Sequence, residues 1–210
     1  MTPSAPMPPA SRPVDRPLRC ACGALRGEAL SVGPSMGTRM LCYCDDCQAF
    51  ARFLGGPGIL DHWGGTDVFQ IAPARVRLSE AGALSCMRLS AKGMFRFYCG
   101  QCRTPVGNCV GPRLPLISLH LPFLEPDGNV TLRDEWLGPP LGAVQTKFAV
   151  GELPARNAHA VRVVAKVLSR LGTWWLTGAG SPSPFFDAKT RAPRVEPRVL
   201  SAQERADLRA

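Results

Sequence analysis

Leu41-Cys42-Tyr43-Cys44-Asp45-Asp46-Cys47 is the stretch that decides the reading of this chain, because it brings three cysteines into six residues. If Leu41 to Cys44 is extended, alternation along a strand sends the side chains of Cys42 and Cys44 to the same face. Cys47 then follows at the spacing of a metal knuckle. Residues 48–54 read as a short helix, with Asp45 or Asp46 as its N-cap and Gly55 as its stop. A helix N-terminus holds a cysteine as thiolate. Three converging thiolates with no fourth in the motif predict a zinc site with one open position, the arrangement that catalytic zinc uses.

Six more cysteines surround this motif, nine in all. A secreted disulfide framework favours an even count in a shorter chain behind an apolar leader. Here the count is odd and the first 17 residues are rich in Pro, Ser and Ala. The spacings Cys20-x-Cys22, Cys42-x-Cys44-x2-Cys47 and Cys99-x2-Cys102 instead read as metal ligands in a reducing compartment. A cytoplasmic location is expected on that ground. Cys-x-Cys at 20–22 is expected on one side of a strand, with Gly23 giving room around a metal.

The rest of the chain is punctuated by Gly and Pro up to residue 140, so its strands should be short. Candidates are 18–30, 38–44, 68–71, 75–78, 83–89, 94–98, 106–109 and 116–121. The fold class is mainly β, in several short sheets, followed by a C-terminal amphipathic helix and an extended tail. Three parts are expected: a disordered tail at 1–17, a zinc-binding β domain at 18–140, and a helical extension at 141–210 packing on that domain. In the helix, expected over 157–177, Val161, Val164, Leu168, Leu171 and Trp175 form one apolar stripe that should dock on the domain. Asn157 should cap it and Gly178 end it. Phe185-Phe186, after a Pro-rich run, should anchor the extension, or alternatively line a pocket. Ser201 with Glu204 three residues on predicts a capping box near the C-terminus.

Charge excludes some functions. The net charge is +9, yet residues 20–139 carry 11 basic and 10 acidic side chains, and the excess lies outside them. A nucleic-acid partner needs a clustered basic face; the C-terminal helix offers only a modest one, which reads as a solvated face, and no nucleic-acid partner is expected. No apolar run reaches the ~18 residues of a membrane span, and no membrane association is expected. The scattered His62, His120 and His159 are weak evidence of ligation. His120 and His159 read as structural, and His62 is the one placed to approach the three-cysteine motif. Asp45 and Asp46 read as caps and outer hydrogen-bond acceptors rather than ligands.

Cys20-x-Cys22-Gly23, then Cys42-x-Cys44-x2-Cys47 after a strand, then Tyr98-Cys99-x2-Cys102 after a later strand, occur in that order over roughly half the chain. In this order the motifs resemble the glutathione-dependent formaldehyde-activating enzymes and the centromere protein V type zinc-binding domains. With Tyr43 where those enzymes commonly carry His, the likeness is to a separate branch of that superfamily. The resemblance implies coiled β-sheets carrying two zinc ions. It implies that Cys20, Cys22, Cys99 and Cys102 form a closed structural site, and Cys42, Cys44 and Cys47 an open, catalytic one. The rival pairing makes both sites four-coordinate, with Cys86 or Cys109 as the eighth ligand. Two functions follow. One is a carbon–sulfur lyase-like protein whose open zinc holds a small thiol or its carbonyl adduct. The other is a non-catalytic zinc-stabilised scaffold.

Overall fold

The computed structural model describes residues 12–56, 58–124, 129–153 and 159–209. Within them the chain is mainly β. Strands β1 (Val14–Arg19), β2 (Arg26–Val32) and β5 (Val76–Glu80) make a small antiparallel sheet in the order β1-β2-β5. The larger sheet has eight strands in the order β10-β3-β4-β9-β8-β7-β6-β11. These are β3 (Thr38–Cys42), β4 (Thr66–Ile71), β6 (Leu84–Arg88), β7 (Phe95–Cys99), β8 (Pro105–Cys109), β9 (Ile117–His120), β10 (Ala143–Val144) and β11 (Pro197–Val199). The helices are α1 (Asp45–Phe53), α2 (Leu121–Leu124), α3 (Val130–Leu137), α4 (Ala160–Leu176) and α5 (Ala202–Asp207).

Neither sheet is closed. The six central strands of the large sheet pair antiparallel, while β10 and β11 add in parallel at its two edges, on β3 and β6. Residues 141–210, expected as a helical extension, therefore also supply both edge strands. The main core fills the space between the sheets. Phe69, Ile71, Phe97, Ile117 and Leu119 come from the large sheet, and Leu18, Ala29 and Val76 from the small one. Phe185 and Phe186 are buried in the same core, with Phe185 4.6 Å from Phe97 and Phe186 edge-on to Phe95 at 5.2 Å. They anchor the extension as expected.

Several local expectations change. Residues 1–11 of the expected tail lie outside the described set, but residues 14–17 do not form a tail, since β1 starts at Val14 and pairs with β2. Cys20 to Cys22 lie in the turn between β1 and β2, not on a strand, because the chain must reverse there to pair. The first helix starts at Asp45, and its N-cap is neither aspartate but Cys44, whose sulfur accepts from the Cys47 N–H. The sulfur does at this cap what a carboxylate oxygen would do. Gly55, at φ +76°, does end that helix. Asn157 lies outside the described residues, and α4 begins on His159 with no side-chain cap. The Ser201–Glu204 capping box is present.

The largest revision concerns α4. It packs through Val163 and Trp174, with Val167 and Leu171 beside them, against Met40, Val68, Ala72 and Leu116. The stripe expected to dock is one step round the helix from this, and most of it faces solvent. The helix is apolar around more than half its circumference, so periodicity alone could not tell which part the domain covers.

One buried ion pair ties α3 to the large sheet. Arg39 of β3 holds Asp67 of β4 in a two-pronged contact, Nε to Oδ1 at 3.1 Å and Nη2 to Oδ2 at 2.7 Å. Its Nη1 reaches Asp134 at 2.5 Å and the Gly138 carbonyl at 2.7 Å. Arg39→Met should cost about 3 kcal/mol, since it strands a largely buried carboxylate. Arg133, 3.7 Å from Asp67, keeps the loss at that level. Asp134→Asn, at a half-exposed carboxylate, should cost less than ~1 kcal/mol. Urea midpoints of the two variants check the contrast.

Candidate metal centres

The first cluster forms where two turns meet. Cys20 and Cys22 sit in the β1–β2 turn, and Cys99 and Cys102 flank the start of the β7–β8 turn. Their sulfurs all lie within 4.8 Å of one another. Cys22 Sγ is 3.5 Å from Cys20 Sγ and 3.8 Å from Cys99 Sγ. Local hydrogen bonds aim them. The Leu25 N–H donates to Cys20 Sγ at 3.2 Å, and the Ala21 N–H reaches the Thr104 hydroxyl at 3.1 Å. That hydroxyl also lies 3.1 Å from Cys102 Sγ. Burial pushes the Cys99 thiol up to about 12. Cys102 is lowered to about 6: its burial opposes this, but hydrogen bonds from Thr104 and the backbone outweigh it. A metal held by this cluster would join a turn of the small sheet to a turn of the large one.

The second cluster is Cys42, Cys44 and Cys47, again with all sulfurs within 4.8 Å. Cys42 Sγ is 3.5 Å from Cys44 Sγ and 3.7 Å from Cys47 Sγ. Cys42 ends β3, and Cys44 caps α1. The extension fixes the backbone between them: the Tyr43 N–H donates to the Val144 carbonyl at 3.1 Å, and Gln48 Nε2 to the Tyr43 and Phe148 carbonyls. Tyr43 points away from the sulfurs, its hydroxyl on Asp61 at 2.9 Å. Gly65 is required beneath it, since a Cβ there would stand 2.6 Å from the Tyr43 ring. Cys42 and Cys44 are half-buried and Cys47 is buried. Hydrogen bonding with Cys42 and Cys44 holds the Cys47 thiol well below its usual range, helped by the Arg96 charge and opposed by burial. The same sharing raises Cys42 strongly. Cys44 ends at about 11: its bond to Cys42 pulls down, while Cys47 and burial push up harder.

The floor of this site is a polar row that sequence reasoning missed. Arg96 of β7 is opposite Asn108 of β8, Asn108 is opposite Ser118 of β9, and His120 follows two residues along β9. All are buried. Arg96 Nη1 is 3.9 Å from Cys47 Sγ, and its Nη2 is 3.9 Å from Asp46. The amide orientation that satisfies every neighbour of Asn108 places its oxygen to accept from His120 Nε2 at 2.9 Å and Arg96 Nη1 at 3.2 Å. Burial pushes His120 down to about 4, so the ring is neutral near neutral pH. Its Nδ1 has no partner among the described residues. The signal lay in the strands themselves. Arg96 stands between Phe95 and Phe97, Asn108 between Gly107 and Cys109, and Ser118 and His120 flank Leu119. Each strand thus offered one polar face.

The structure brings all seven predicted ligands into two groups, four and three. Cys86 and Cys109 join neither. Both lie in the apolar core, where burial pushes Cys86 up to about 12 and raises Cys109 as well. His62 is exposed and edge-on to Trp63 at 5.5 Å, away from both clusters. None of the nine cysteines is in a disulfide. Asp45 and Asp46 act as acceptors: Arg209 contacts both, and Arg205 lies 3.7 Å from Asp46. The C-terminal helix α5 thereby grips the start of α1.

Two clusters of this geometry could each hold a metal ion, and no helix among the described residues is long and apolar enough to cross a membrane. A comparison with curated proteins finds no match. A protein-family model described as a family of unknown function, DUF6151, matches residues 13–196. That span holds both cysteine clusters and the polar floor beneath the second, and it makes the chain a member of the DUF6151 family.

Proposed function

We propose that this protein binds two zinc ions, one structural and one open, and uses the open site to hold a small thiol in carbon–sulfur lyase-type chemistry. The observation that carries the reading is the three-cysteine cluster backed by a buried guanidinium. Zinc–sulfur bonds of about 2.3 Å in a tetrahedron set neighbouring sulfurs about 3.8 Å apart. The close sulfur pairs of the two clusters lie 3.5 to 3.8 Å apart. The donors are thiols alone, a set that suits zinc. The order of the cysteine motifs supports a relationship to the formaldehyde-activating superfamily.

When bound at Cys42, Cys44 and Cys47, zinc supplies a cation that keeps an incoming sulfur in its anionic, nucleophilic form. The chain's own residues set the surroundings. Cys42 and Cys44 present the exposed side of the cluster. Arg96 lies behind Cys47 and balances the negative charge that three thiolates accumulate there. Asn108 fixes the Arg96 guanidinium and the His120 ring relative to each other. Asp61 anchors Tyr43 so that the turn between Cys42 and Cys44 keeps its shape. The reaction class is the making or breaking of a bond between sulfur and a carbonyl-derived carbon.

The test is calorimetry on zinc-loaded protein in two buffers of different ionisation enthalpy. A small thiol at neutral pH should bind with release of about one proton, because its ordinary pKa of about 8.5 keeps it protonated in solution. The alcohol of the same shape should give no such heat. Tyr43→Phe should bind the thiol like the parent, since the phenol points away from the sulfurs. With zinc content verified, absence of thiol-specific heat would leave the scaffold reading as the function of both sites.

A further inference from the structure

Helix α4 leaves an apolar stripe uncovered along its length. Val161 is 83% exposed, Leu168 62%, Trp175 76% and Leu176 92%, and Val164 is exposed beside them. Val161, Val164, Leu168 and Trp175 recur at helical spacing and share one side. A continuous exposed apolar stripe on a folded protein marks a surface that something covers.

Charge selects what covers it. The helix carries Arg162, Lys166 and Arg170 and no Asp or Glu. Arg170 is engaged with the Ser35 carbonyl at 2.7 Å. Arg162 and Lys166 are exposed, and no carboxylate among the described residues pairs with either. Arg162 flanks the stripe on the side away from the domain, and Lys166 continues the same polar side farther round the helix. At the C-terminal end, Arg113 and Arg191 line the same cleft as Trp175. Asp187 lines it too, but its Oδ1 is held by the Lys189 and Thr190 N–H groups and the Thr190 hydroxyl. A second copy laid on this face would oppose cations with cations, with no acidic side chain on either helix to answer them. An apolar stripe ending in Trp and Leu, rimmed by Lys and Arg, is the composition of a helix that lies in a bilayer interface.

We propose that α4 seats this protein on the surface of an anionic lipid bilayer. Val161, Val164, Leu168 and Trp175 enter the boundary between headgroups and acyl chains, Arg162 at their flank meets the lipid anions, and Lys166 adds its charge to the attraction from the polar side. This revises the expectation of no membrane association, which rested on the lack of a spanning run; a surface helix needs none. The proposal is independent of any chemistry at the cysteines.

The experiment is sedimentation of the 210-residue, metal-loaded chain with vesicles of phosphatidylcholine alone or with phosphatidylserine added. Binding to the anionic vesicles should exceed binding to the neutral ones by at least about tenfold, and fall as salt is raised. Leu168→Glu should lower anionic binding by about tenfold or more, and so should Arg162→Glu combined with Lys166→Glu. Both alter exposed positions, so melting should match the parent. The tryptophan emission of the parent should shift to the blue on binding, and Trp175→Phe should lose most of that shift. Equal binding to both vesicle types, or none to either, overturns the proposal. So does anionic binding that Leu168→Glu leaves unchanged, which would be the work of general basic charge. A parent that sediments as a dimer, and becomes a monomer on Leu168→Glu, would assign the face to a second copy instead.

Discussion

Cys99→Ser should abolish cooperative melting and release one of two metal equivalents together with the fold. The reason is where the first cluster sits. Cys20 and Cys22 belong to the small sheet and Cys99 and Cys102 to the large one, 77 residues apart at the Cys22–Cys99 contact. A metal held by all four closes a long chain loop and fixes the angle at which the sheets meet. Structural zinc in small domains contributes about 10–16 kcal/mol of apparent binding energy, and a domain's whole stability is about 5–15 kcal/mol. The former is as large as the latter. The apolar core between the sheets remains, so the product should be a compact, loosely packed chain that retains part of its strand signal. Differential scanning calorimetry with metal analysis separates the outcomes. A variant that melts like the parent, with or without its metal, would show that the core alone holds the sheets together and that this cluster is not structural.

The mainly β class and the three short cysteine groups were legible because both rest on local rules; that Cys20 and Cys22 would meet Cys99 and Cys102 was what the family resemblance implied. Cysteine spacing limits which sulfurs can converge, and alternation locates strands such as Phe95–Cys99 and Ile117–His120. What stayed hidden depends on partners far along the chain. Nothing near Cys44 says that its own sulfur, rather than Asp45 or Asp46, caps α1. Nothing near Ala143 or Pro197 says that these short segments will complete the edges of a sheet begun a hundred residues earlier. The buried face of α4 was misread because several turns of the helix offer two adjacent apolar sides, and only Met40, Val68 and Leu116 determine which one is covered. The polar floor beneath Cys47 was missed for a related reason. Arg96, Asn108 and His120 each look like one odd residue in an apolar strand until strand order places them side by side.

That floor sets the last prediction. Arg96 is 1% exposed, and its nearest anionic neighbours are the Cys47 sulfur and the Asp46 carboxylate, each at 3.9 Å. A buried cation is tolerated only against a buried or nearby anion. Cys47→Ala should therefore cost more than a metal ligand: it leaves Arg96 only the partly exposed Asp46, for a loss of about 3 kcal/mol in protein carrying metal at the four-cysteine cluster only. Arg96→Met fills similar volume without charge and, with the second site empty and the four-cysteine cluster loaded, should leave stability close to the parent. In the loaded protein it removes the counter-charge to three thiolates, so affinity at the second site should drop by about 10–100-fold. The double variant should recover most of the stability that Cys47→Ala loses, because neither charge remains. Asn108, released from Arg96, still has His120 to bond, which keeps the rest of the row satisfied. Urea midpoints for the four proteins carrying metal at the four-cysteine cluster only, and competition with a chromophoric chelator for the two that keep Cys47, measure both halves. If the two single losses simply added in the double variant, Arg96 and Cys47 would not be an energetic pair, and the charge balance assigned to the open site would be wrong.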